Sequence, residues 1–185
     1  MKVCLIGLNH QTAPVEVREQ VAIHPNRQPA ALKFFREIDG VLDCVLLSTC
    51  NRFEVTCLLN EDASAEAVFA EFLKTWYSLE PRVVFPCLYF HTGREAIRHL
   101  YRVASSLDSL VIGEPQILGQ VKDAIHAARQ AGYLNTQLAT LFEKAIGTAK
   151  KVRSETEIAS SAVSVSYAAV ELARKIFGLR SSSCR

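Results

Sequence analysis

VLDCVLLSTCNRFEVTCLL, residues 41–59, is the stretch on which the fold turns. Its two halves, 41–47 and 53–59, are apolar runs of strand length. The polar segment Ser48-Thr49-Cys50-Asn51-Arg52 joins them, so the stretch reads as a β-hairpin with chemistry in its loop. Upstream, residues 2–8 are rich in Val, Ile and Leu and end at the turn Gly7-Leu8-Asn9-His10, which makes a first strand. Pro14 fits the first turn of a short helix through Val21, and a second helical stretch from about 28 to 38 ends in Asp39-Gly40. Downstream, Val68, Phe69, Phe72, Leu73 and Trp76 recur at helical spacing within 63–79, and residues 88–90 supply a fourth strand. The order strand, helix, strand, strand, helix, strand predicts an α+β chain with a ferredoxin-like βαββαβ unit of two packed layers over about 1–91.

From Thr92 onward the pattern is wholly helical. Thr92-Gly93-Arg94-Glu95 has the spacing of a capping box, and helices are predicted at 116–131, with Pro115 at the entry, at 136–154 and at 160–177. The last of these carries Val163, Val165, Tyr167, Val170, Leu172, Ile176 and Phe177 on nearly all sides, and Gly178 sits at its C-cap position. Such a helix must be covered, so self-association is expected. The serine-rich tail 179–185 is expected to be disordered.

The 185 residues are 49% hydrophobic and 22% charged, enough apolar material for one sizeable core. No apolar run approaches the roughly 18 residues that span a bilayer, and the first strand is too short for a signal-peptide core, so the default expectation is a cytoplasmic protein with no membrane partner. None of the six cysteines (Cys4, Cys44, Cys50, Cys57, Cys87 and Cys184) is at C-x-x-C spacing. That argues against zinc or any other structural metal, and reducing conditions argue against a disulfide scaffold. A net charge of +2 and a pI near 8.2 permit a polyanionic partner without requiring one.

Cys50 draws attention because its neighbours are polar, whereas buried structural cysteines usually sit among apolar ones. A tight interstrand loop holds a nucleophile from both sides and exposes its tip. Arg52 is close enough to favour a thiolate or to grip a carboxylate with its planar fork, and Glu54 is placed to fix that arginine. On the helix after Thr92, Ile97, Leu100, Tyr101 and Ala104 form an apolar face from which His99 points roughly 150° away. It reads either as a surface histidine or as an aid to substrate orientation and proton transfer. Gln116 and Gln120 share a helix face, with Ser109 and Glu114 in the polar loop before them. Lys144, Lys150, Lys151 and Arg153, and separately Arg94, Arg98 and Arg102, are basic stretches that read as solvated faces or as phosphate contacts.

Two motifs, Gly7-Leu8-Asn9-His10-Gln11-Thr12-Ala13-Pro14-Val15 and Ser48-Thr49-Cys50-Asn51-Arg52-Phe53-Glu54, resemble the leading motifs of glutamyl-tRNA reductases. The run from Val103 to Lys122, VASSLDSLVIGEPQILGQVK, resembles that family's longest signature, and 149–169 matches as well. The resemblance extends over residues 2–178. It implies a catalytic glutamyl-tRNA-binding domain over 1–155 (a ferredoxin-like part to 91, a helical part over 92–155), followed at 156–178 by the start of a long connecting helix. It also implies that Cys50 takes glutamate from tRNA(Glu) as a thioester, which NADPH reduces to glutamate-1-semialdehyde for tetrapyrrole synthesis. By position, Thr49, Asn51, Arg52, Ser109, Glu114, Pro115, Gln116 and Gln120 fall where the family binds the glutamyl group, and His99 where it has a histidine important for activity. NADPH is expected on a domain missing from this chain, whose eight glycines nowhere make G-x-G-x-x-G. The family further implies a homodimer and a glutamate-1-semialdehyde aminotransferase as partner. Two other readings are a non-catalytic tRNA-binding or regulatory module of the same fold and an unrelated cysteine hydrolase.

Overall fold

A computed structural model describes residues 1–132, 134–159, 170 and 172–176. Strand β1 (Lys2–Asn9) is followed by α1 (Val15–Val21), a 3-10 turn (Pro25–Arg27) and α2 (Gln28–Glu37). The hairpin is β2 (Val41–Ser48) and β3 (Arg52–Leu59). Helices α3 (Ala65–Tyr77) and α4 (Pro81–Val84) and a 3-10 turn (Phe85–Cys87) then lead to β4 (Tyr89–Thr92). Helices α5 (Gly93–Ala104), α6 (Gln116–Gln130) and α7 (Thr136–Glu155) complete the main elements. The sheet order is β2-β3-β1-β4 with every neighbouring pair antiparallel, the order of a ferredoxin-like unit.

The helical part is no appendage. All eight residues of β3 and the last six of β1 are buried, as a strand must be when both faces of its sheet are covered. Helices α2 and α3 pack on β2 and β1 from one side, and α5 and α6 pack on β1 and β2, so the two expected layers become three. The first side is an aromatic core in which the rings of Phe35 and Phe72 stack at 4.0 Å, with Phe53, Phe69 and Trp76 around them. Buried Asp43 joins the layers at the far end. One of its carboxylate oxygens accepts from the Cys44 amide at 2.9 Å and the other from the Asn135 amide, at the residue that caps α7.

The fourth strand starts one residue and ends two residues later than expected, and Thr92 belongs to it, paired with Cys4. Its side chain makes no capping bond because the ladder, not the helix, sets its backbone, and Glu95 turns instead toward Arg98 at 3.9 Å. The expected capping box is therefore absent. Side-chain caps occur at Ser64, which accepts from the Ala67 amide at 3.2 Å, and at Asn135, which accepts from the Leu138 amide at 2.9 Å. Residues 170 and 172–176 are helical; most of the predicted helix 160–177 and the whole tail 179–185 lie outside the described residues. Among the described residues no helix is long and apolar enough to cross a membrane.

Candidate functional site

The loop Thr49–Asn51 is fixed by its own residues and by the first turn of the chain. The Thr49 hydroxyl accepts from the amides of Asn51 at 3.2 Å and Arg52 at 3.1 Å, and the Thr49 amide donates to the Arg52 carbonyl at 2.8 Å. From outside, the His10 amide donates to the Asn51 carbonyl at 2.9 Å and Arg18 Nε to the Cys50 carbonyl at 3.3 Å. Cys50 thus stands exposed on a loop whose backbone is tied on both sides. Cys4, Cys44 and Cys57 are buried in the sheet, and burial pushes all three thiols up, which keeps them protonated and inert.

Arg52 is only 2% exposed and is held by charge. Its Nη1 donates to Glu54 Oε1 at 2.6 Å, and its Nη2 donates to the Asp108 carbonyl and, at 3.3 Å, to Asp108 Oδ1. Both ends of the expected fork are therefore engaged within the protein, and Arg52 lines the cleft as a cation held between two carboxylates. Glu54 Oε1 also accepts from Tyr89 Oη at 2.6 Å and lies 2.8 Å from His99 Nε2. Burial works against the Glu54 carboxylate, but His99, Arg52 and Tyr89 together outweigh it and hold its pKa down to about 2. Burial likewise opposes the charge on Arg52, and Glu54 more than restores it.

Gly7 makes room for this cluster. It is the β1 partner of both Glu54 on β3 and Tyr89 on β4, so the three form one row across the sheet. A Cβ on Gly7 would lie 2.6 Å from Glu54 Cγ and 2.6 Å from the Phe53 carbonyl oxygen. Only glycine leaves the gap through which the Tyr89 phenol reaches Glu54.

A narrow cleft of about 20 Å³ opens beside Arg52. Thr49, Cys50, Asn51 and Arg52 form one wall, Ser109, Leu110 and Glu114 a second, and Gln116, Ile117 and Gln120 of α6 a third. The Ser109 hydroxyl is buried there with no hydrogen-bond partner, an unmet bond of the kind ligands supply. Of the residues expected at the site, Pro115 is exposed at the start of α6 and does not line the cleft. His99 and Glu54 sit behind Arg52. His99 is also not turned away from the core as expected. Ile97 is exposed, and the buried face of α5 is Ala96, Leu100, Val103 and Ala104, which brings His99 against the sheet at 12% exposure.

Three contributors went unread in the sequence. Asp108 Oδ1 accepts from both Arg52 and Asn9 Nδ2, the latter at 3.2 Å, and so ties the first turn and the hairpin to the loop after α5. Tyr89 completes the Glu54 cluster. Arg153, grouped with solvated lysines from its sequence, instead donates from α7 to the carbonyls of Gly113 at 2.9 Å and Glu114 at 3.3 Å, fixing the second wall.

Residues 6–156 match the family model described as glutamyl-tRNAGlu reductase, N-terminal domain. The chain belongs to this family. It is 49% identical over 178 residues to a glutamyl-tRNA reductase of Solibacter usitatus, covering 96% of the chain and 42% of that protein. It is 48% identical over 178 residues to one of Geobacter metallireducens, covering 96% and 41%. Among solved structures it resembles a glutamyl-tRNA reductase from Methanopyrus kandleri with a TM-score of 0.73 and 36% identity, covering 94% of the chain and 39% of that structure. The chain thus spans about two fifths of the length of these glutamyl-tRNA reductases. The match to the glutamyl-tRNA reductase model takes in the end of β1, the hairpin, β4 and α5 to α7, the elements from which the cleft and the cluster behind it are built. Among the described residues no group of three or more His, Cys, Asp or Glu side chains is placed to hold a metal ion.

Proposed function

We propose that the cleft is an acyl-acceptor site for the glutamyl group of glutamyl-tRNA(Glu). One observation carries the reading: the exposed thiol of Cys50 shares a small cleft with a fixed arginine charge, an unpartnered serine hydroxyl and the two glutamines of α6. Cys50 Sγ attacks the ester carbonyl carbon. A C–S bond forms, the C–O bond to the ribose breaks, and the thiol proton ends on the released ribose hydroxyl. Arg52 supplies the charge that favours a glutamate over a glutamine side chain. Thr49, Asn51, Ser109, Glu114, Gln116 and Gln120 supply the polar wall, and Pro115 sets the start of α6 beside it. His99, held at Glu54, supports the same arrangement from behind.

To NADPH we assign the hydride that turns the thioester into glutamate-1-semialdehyde, the entry compound for tetrapyrroles. Among the described residues no glycine-rich strand-to-helix turn fits a dinucleotide, so no step through it is built on these side chains. A cytoplasmic homodimer that hands its aldehyde to an aminotransferase completes the proposal.

The test is release of tRNA from glutamyl-tRNA in the presence of the purified chain. Faster deacylation that disappears in Cys50→Ser supports acyl transfer. No acceleration by a chain shown to be folded would refute it and favour a tRNA-binding module without turnover.

A further inference from the structure

We infer that Tyr89 is a positioning residue for glutamyl recognition, holding Glu54 across the glycine gap of β1 so that Glu54 in turn fixes the Arg52 charge at the cleft. The inference rests on the acyl-acceptor reading above. Tyr89 itself does not line the cleft and acts through two other side chains.

Its geometry is specific to this task. Tyr89 is on β4, an edge strand, with all of β1 between it and Glu54 on β3. An aromatic ring there needs no hydrogen bond for burial, and it already packs against His91 at 5.3 Å and His99 at 5.0 Å. Its hydroxyl nevertheless crosses β1 at the one row where β1 has no side chain and ends 2.6 Å from Glu54 Oε1. Three donors from three elements then converge on that single oxygen: Arg52 from β3, Tyr89 from β4 and His99 from α5. A carboxylate held by Arg52 alone could pivot with it, whereas two further donors from other directions fix the oxygen in space. The Arg52 guanidinium, clamped between that oxygen and Asp108, inherits the fixed position. Positional precision of a fraction of an ångström at a recognition charge separates a discriminating site from a loose one.

Tyr77 provides an internal control. It is a second largely buried tyrosine, whose hydroxyl donates to an uncharged acceptor, the backbone carbonyl of Val21, at 2.6 Å. The experiment measures single-turnover acylation of Cys50 by the same tRNA charged with glutamate or with glutamine, in the parent chain, Tyr89→Phe and Tyr77→Phe, with urea unfolding to confirm that each is folded. Tyr89→Phe is expected to slow acylation by glutamate about tenfold and leave acylation by glutamine nearly unchanged, so that discrimination falls. Tyr77→Phe is expected to lose stability and keep its discrimination. Equal slowing with both amino acids, or no change with either, would overturn the inference and leave Tyr89 a packing residue. Absence of acylation in the parent chain would instead sink the acyl-acceptor reading itself, and this inference with it.

Discussion

Glu54→Gln is the perturbation that the cluster behind the cleft makes most informative. The substitution keeps the shape and removes the charge, leaving Arg52, 2% exposed, with Asp108 as its remaining anionic partner. Breaking one side of a buried ion pair costs about 3–5 kcal/mol. An independent route gives a similar size: the fold holds the Glu54 carboxyl at about 2 instead of its ordinary 4.5, a displacement of about 3 kcal/mol. The sign follows from the direction. A carboxyl depressed in the fold contributes its stability in full above its ordinary value and loses it as pH falls toward the folded value. Urea unfolding at pH 7 should therefore find Glu54→Gln less stable than the parent by about 3 kcal/mol. The gap should narrow as pH falls from about 5 toward about 2, because the unfolded parent takes up the Glu54 proton before the folded parent does, while carboxyls common to both chains cancel in the difference. A variant within about 1 kcal/mol of the parent at pH 7, or a gap that stays constant down to acid pH, would refute the reasoning.

The remaining expectations are smaller in scope. Gly7→Ala should cost about 1–3 kcal/mol or more in urea unfolding, because one of the two atoms its Cβ meets at 2.6 Å is a backbone oxygen that cannot yield easily. Brief treatment with iodoacetamide at neutral pH, read by peptide mass spectrometry, should label Cys50 and spare Cys4, Cys44 and Cys57 until the chain unfolds; labelling of the buried three at a similar rate would contradict the packing. Asn135→Ala removes the cap of α7 and should cost about 1 kcal/mol in the same unfolding assay.

How far these features can be read from the sequence depends on how local their causes are. The hairpin 41–59 was legible because two apolar runs flank a short polar loop, and the exposure of Cys50 follows from that loop. Burial of β3 on both faces is not written there: Arg52, Glu54 and Thr56 alternate with Phe53, Val55 and Cys57 as in a half-exposed strand, and the polar face is buried only because the helical part covers it. Asn9 and Asp108 are 99 positions apart and meet only when α5 docks on β1, so no spacing rule could pair them. Tyr89 and Gly7 share a row that depends on the register of two ladders. The apolar pattern of Ile97, Leu100, Tyr101 and Ala104 turns His99 away from the core, whereas the docked face of α5 is built from Ala96, Leu100, Val103 and Ala104. Thr92 has the composition of a helix cap, but strand pairing claimed its backbone first.

Intact-mass analysis of the chain after mixing with glutamyl-tRNA and quenching in acid bears most directly on the acyl-acceptor site. One glutamyl group on the chain, mapped to Cys50 and missing from Cys50→Ser, is the expected result. An unmodified Cys50 in a folded chain with the cleft intact, or an adduct on any other residue, would contradict it.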